Sequence, residues 1–148
     1  MFKPTKILVP TDFSGHADSA LQAALDMAQQ FKASILLLHV VHETIRHCGG
    51  DYCLSDALMR QMEEGILSGA RDAIRKQLEK FPQAGSVQVA TEVRRGFPAE
   101  EIVKAQEESG ADLIVISPLG RTGLAKYLVG SVTSNVVREA KCPVLVVR

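Results

Sequence analysis

A chain of 148 residues with seventeen basic and seventeen acidic side chains carries no formal net charge. Its overall field therefore favours neither nucleic acid nor an acidic membrane surface, and one domain of this length buries about 70% of its unfolded surface. The opening MFKPTKILVP lacks the long apolar stretch of a leader peptide, no run reaches the roughly 18 apolar residues of a membrane span, and three cysteines beside an ample core point to a reducing cytoplasm rather than a disulfide framework.

Lys6–Pro10 reads as a short buried strand. Thr11, Asp12 and Ser14 then offer side-chain oxygens that suit a helix cap. Ala17, Leu21, Ala24, Leu25, Ala28 and Phe31 recur at helical spacing, so a first helix is expected from about Gly15 to Phe31. Ser34–Val41 is a continuous apolar strand whose lack of alternation implies cover on both faces. Paired glycines in Glu43–Cys53 mark a loop. A long helix is predicted from about Leu54 to Phe81, with Leu58, Met62, Ile66, Ala70, Ala73, Ile74 and Leu78 on one stripe and Pro82 ending it. Val87–Val93 alternates apolar and polar residues, the pattern of a half-exposed edge strand. After the turn Gly96-Phe97-Pro98, a short helix from about Ala99 to Ser109 ends at Gly110. Leu113–Ile116 is a buried strand, Ser131–Ala140 a helix and Pro143–Val147 a last strand.

Strands alternating with helices predict an α/β fold with one doubly wound, five-stranded parallel sheet, Rossmann-like, with helices on both faces. If Val87–Val93 is an edge, right-handed crossovers favour the order 3-2-1-4-5. The chain then reverses between the first and fourth strands, where open α/β sheets bind ligands. Two loops meet there: Pro10-Thr11-Asp12, and Ser117-Pro118-Leu119-Gly120 continuing to Gly130-Ser131. Glycines that admit close backbone approach, together with the open N–H groups of a helix start, make an anion site. With the Asp12 carboxylate opposite, an adenine nucleotide suits the pair of loops.

Other residues read more plainly. Asp12 is open to two readings, a cap on the first helix shared with Ser14 or a ligand anchor. Gly123 suits a turn, His39 a satisfied core histidine, Arg94 and Arg95 a solvated strand end, and Cys142 the core. His42, His47, Cys48 and Cys53 lie within loose zinc-ligand spacing but lack two tight pairs, so a reduced, partly buried thiol pair is preferred and no metal is assigned. There is no G-x-S-x-G elbow, no Walker A lysine and no His-Glu metal pair, so no catalytic residue is assigned.

Five blocks in order, KILVPTDFS at 6–14, LLHVV at 37–41, ADLIV at 111–115, GRTGLAKYLVGSVT at 120–133 and CPVLVV at 142–147, resemble the universal stress proteins over essentially the whole chain. Nucleotide-binding members of that family carry Gly, two residues, Gly, nine residues, Gly, then Ser or Thr. Here the series is Ser117, Gly120, Gly130 and Ser131, a departure at the first glycine only. The resemblance implies a stress-response regulator that binds ATP, with Mg²⁺ as a possible companion, and hydrolyses it slowly if at all. It implies that Asp12 and the backbone of Pro10 and Thr11 meet adenosine, with Val40 beside the base. Gly120, Gly130, Ser131 and Val132 then surround ribose and phosphates. At Ser117 a Cβ crowds the ligand if the backbone there needs a positive φ, and Pro118 removes an N–H donor.

The alternative is a stress-related interaction module that binds no nucleotide because Ser117-Pro118 closes the cradle. Its working surface would be the Cys/His-rich loop at 42–53. Under either reading the apolar Val144–Val147, at the sheet edge with only Arg148 after it, is expected to pair with its copy in a homodimer, a state the resemblance also implies.

Overall fold

The computed structural model describes residues 1–43, 55–118 and 129–148. Five parallel strands lie in the order 3-2-1-4-5: β1 (Lys6–Pro10), β2 (Ser34–His42), β3 (Val89–Gly96), β4 (Leu113–Ile116) and β5 (Val144–Val146). β1 is central, with Ile7 in register with both Ile35 of β2 and Leu113 of β4. The expected reversal therefore falls between β1 and β4.

The unalternating apolar strands are covered on both faces. Ile7, Val9, Leu37 and Val115 pack under helices α1 (Gly15–Phe31) and α2 (Asp56–Glu79). Leu8, Leu38, Ile114 and Ile116 pack under α3 (Pro98–Ser109) and α4 (Ser131–Glu139). Successive residues of one strand thus feed opposite cores, as the two-residue period requires. Gly110 ends α3 at φ 70°, the left-handed cap expected there.

Three sequence expectations shift. The apolar stripe of α2 docks only in its second half: Ala70 and Ile74 are buried, whereas Leu58, Met62 and Ile66 are 42%, 41% and 50% exposed. β3 begins two residues later than expected, after a 3₁₀ turn at Pro82–Ser86, and continues past Val93 through Arg94 and Arg95. These arginines extend the strand because acidic partners flank them. Arg94 meets Glu92, Glu101 and Glu108 at 2.6, 3.5 and 2.6 Å, and Arg95 meets Glu43 and Glu63 at 3.1 and 2.9 Å. Burial alone would lower the Arg94 pKa, but its bonds to Glu108 and Glu92 raise it on balance. Finally, β5 is shorter than expected, three residues, with Leu145 40% exposed on the outer edge.

At the amino ends of β1 and β4 a carboxylate stitches the sheet. Asp112 accepts from Thr5 N at 2.9 and 3.1 Å, from Thr5 Oγ1 at 2.7 Å and from Lys6 N at 3.1 Å. Burial would raise its pKa, yet these donors hold it below the ordinary aspartate value. Among the described residues, no helix is long and apolar enough to cross a membrane.

Candidate functional site

A cavity of about 280 Å³ opens at the carboxyl ends of β1 and β4, where the strand order reverses. Pro10, Thr11, Asp12, Val40, Ser117, Gly130, Ser131 and Val132 all line it, so eight of the nine residues expected from the sequence converge there. The ninth, Gly120, lies outside the described residues, as do Gly123, His47, Cys48 and Cys53. Ile102, Ile116 and Pro98 give the cavity an apolar side.

One wall is the turn that follows β1, and it is bonded at every step. Thr11 N donates to Leu38 O at 2.8 Å, extending the β1–β2 ladder by one residue. The Thr11 carbonyl accepts from His39 Nδ1 at 2.7 Å, and the His39 ring lies against Phe13 with centroids 4.4 Å apart. His39 is thus a satisfied histidine whose bond assigns the Nδ1–H tautomer to its neutral form. Asp12 Oδ1 accepts from Ser14 N at 3.0 Å, while Ser14 Oγ accepts from Ala17 N at 3.2 Å. The two readings of Asp12 are thereby separated: Ser14 is the N-cap of α1, and Asp12 braces the turn from within the cavity wall.

The opposite wall is the end of β4 with the start of α4. Thr133 Oγ1, buried, donates to Ser117 O at 2.7 Å, and Gly130 N donates to Pro118 O at 2.6 Å. The second bond fixes where Gly130 stands in this wall. Its N–H is committed to Pro118, so it is not a cradle donor, and a Cβ there would stand 3.2 Å from the same Pro118 oxygen. Pro118, expected only to subtract a donor, supplies the carbonyl that anchors the helix start. Among the described residues, no side chain caps α4. The amides of Ser131, Val132 and Thr133 occupy its first turn, where backbone N–H groups have no intrahelical acceptor. Ser117 needs no left-handed backbone: among the described residues only Phe13 and Lys32, besides glycines, have positive φ. Its side chain is one of those that line the cavity.

The universal stress protein family model matches residues 3–148. The chain belongs to the universal stress protein family. It is similar to universal stress protein MJ0531 of Methanocaldococcus jannaschii, 34% identical over 147 residues that span 97% of this chain and 81% of the relative. Among solved structures it resembles UspA of Lactobacillus plantarum at TM-score 0.81 and 31% identity, with both chains covered completely. A universal stress protein solved in complex with cAMP shares the fold at TM-score 0.72 and 22% identity, over 99% of this chain and 98% of the other.

Within this universal stress protein fold, several site residues were not singled out from the sequence. Gln77 of α2, 2% exposed, bonds Thr11 Oγ1 at 2.8 Å. The one available signal was its place on the buried stripe, three residues after Ile74, where a polar residue breaks the apolar series. Thr133 offered no signal beyond a hydroxyl at a helix start. Elsewhere, His42 is exposed and packs edge-on against Phe97, with centroids 5.9 Å apart. Cys142 is half-buried against the α3–α4 core, and burial followed by the Asp112 charge pushes its thiol pKa up, away from reactive thiolate character.

Proposed function

We propose that this universal stress protein binds ATP, with or without Mg²⁺, in the β1–β4 cleft and serves as a nucleotide-dependent regulatory switch. The observation that carries the reading is the uncapped first turn of α4 facing the braced Asp12 turn across the cavity. Open amides and the positive helix end favour a phosphate. Ile102, Ile116 and Val40 offer an apolar flank for a base, and Asp12 a polar anchor for base or ribose. The described lining contains no Lys or Arg, so on this reading the described walls contribute backbone dipoles rather than cationic side chains to anion affinity. A cavity of about 280 Å³ sits at the lower end of the roughly 300–1,000 Å³ typical of small-molecule sites. It suits a nucleoside, with the phosphates running along the start of α4. The neighbour solved with cAMP has a related ligand, but at 22% identity it shares only the fold with this chain, so the reading rests on the cleft's own residues.

Any hydrolysis is expected to be slow. Asp12 braces the Ser14 amide and His39 orders the Thr11 turn, so on this reading both serve the shape of the cleft wall rather than general-base catalysis. The same proposal sets the protein in the cytoplasm as a homodimer paired through β5, where Leu145 is exposed on the sheet edge. Calorimetry on nucleotide-stripped protein tests the binding reading. A saturable heat with ATP is expected, and no heat up to millimolar ATP would refute it.

A further inference from the structure

Gln77 is the polar exception on the face of α2 that packs on the sheet. It is 2% exposed in a row with buried Ala70 and Ile74, where an unbonded amide is costly. Both of its ends are bonded. Oε1 accepts from Thr11 Oγ1 at 2.8 Å, Nε2 donates to Asp18 Oδ1 at 2.8 Å, and Lys80 Nζ holds the other Asp18 oxygen at 3.0 Å.

The polarity of this relay is forced. An ionised carboxylate only accepts, so the amide nitrogen of Gln77 must face Asp18 and its carbonyl must face Thr11. The single hydroxyl proton of Thr11 then goes to Gln77. That leaves Thr11 Oγ1 as an acceptor, and Phe13 N donates to it at 3.1 Å. Phe13 stands at φ 65°, a left-handed conformation that a phenylalanine seldom adopts. The turn that carries Asp12 in the cleft wall is therefore held in an unfavourable geometry by a hydroxyl, and a side chain of α2 sets that hydroxyl's direction.

We propose that Gln77 is a positioning residue for the cleft. Through the Thr11 hydroxyl it holds the strained Thr11–Ser14 turn in place, and it makes the seating of α2 part of the binding wall. The consequence for affinity rests on the nucleotide reading above; the hold on the turn does not. Because coupling is reciprocal, a nucleotide that steadies the turn also steadies the docked half of α2.

The experiment compares Gln77→Met, which removes both bonds at similar volume, with Ile74→Val, which trims packing on the same helix face and breaks none. ATP affinity by calorimetry and amide exchange of Phe13 by NMR are read below both melting temperatures. Gln77→Met is expected to weaken ATP roughly tenfold and to speed Phe13 exchange at least as much. Ile74→Val should leave both within about twofold while lowering Tm. Equal changes in the two variants, or none in Gln77→Met, overturn the proposal. If the wild type takes up no ATP, the nucleotide reading fails, and Phe13 exchange still decides the positioning role. If Gln77→Met does not fold, Asp18→Ala serves, because it removes the acceptor that sets the amide's direction. Phe13 exchange about threefold faster supports the proposal, and wild-type exchange overturns it.

Discussion

The two walls of the cleft are built by different means. The β1 wall is held from a distance, by Gln77 on α2 and His39 on β2, and the polar groups of Thr11 are already spent on these two and on Leu38 and Phe13. The α4 wall is held by two bonds to the residues just after β4, and among the described residues its helix start has no capping side chain. On the nucleotide reading, the first wall supplies shape and the second supplies donors. A strained turn requires outside support, whereas amides offered to a ligand must have no protein acceptor.

The largest effect is expected where the donor wall has least room. Gly130→Val puts a branched side chain against the Pro118 carbonyl, which a Cβ alone would meet at 3.2 Å. The helix start must shift, and ATP affinity by calorimetry should fall more than tenfold, with about 1–3 kcal/mol lost from stability. Unchanged affinity would show that this wall does not hold the ligand.

Thr133→Val comes next. It keeps the volume but deletes the buried bond to Ser117 O. A loss of about 1–2 kcal/mol is expected, seen as a lower urea midpoint at constant m-value. A midpoint equal to the wild type's would mean that the α4 wall is held by packing rather than by this bond.

The smallest effect lies at the other end of the strands and should leave the cleft untouched. The Asp112 pKa is lower in the folded protein than in the unfolded chain, so its contribution is complete above the unfolded value, about 3.9. It fades as the pH falls through the depressed folded value. Asp112→Asn should therefore cost about 1 kcal/mol at pH 7, and the gap to wild type should close in acid. ATP affinity should not change. A constant gap across that range would contradict the assignment.

Much of this was legible in the sequence. Unalternating apolar strands announced a sheet covered on both faces, and the alternation at 87–93 marked the edge that sets the strand order and hence the cleft. Pro10, Thr11, Asp12 and Ser117 could be located because strand ends are legible and reversals bind ligands. What stayed hidden depends on partners far along the chain. Leu58, Met62 and Ile66 have the same helical spacing as Ala70 and Ile74, and only the tertiary arrangement decides which half of α2 docks. Arg94 and Arg95 resembled a strand end because their acidic partners lie on other elements or, for Glu92, two residues away on the same strand. The bond from Gly130 N to Pro118, twelve residues earlier, leaves no local trace in the sequence.

On the nucleotide reading, the start of α4 receives the phosphates while the Asp12 turn faces it. Titrating ATP into nucleotide-stripped protein and following backbone amides by NMR tests this directly. Ser131, Val132 and Thr133 are expected to move together, saturably, and with Asp12 and Phe13. Saturable shifts confined to other parts of the protein, or no shifts at millimolar ATP, would contradict it.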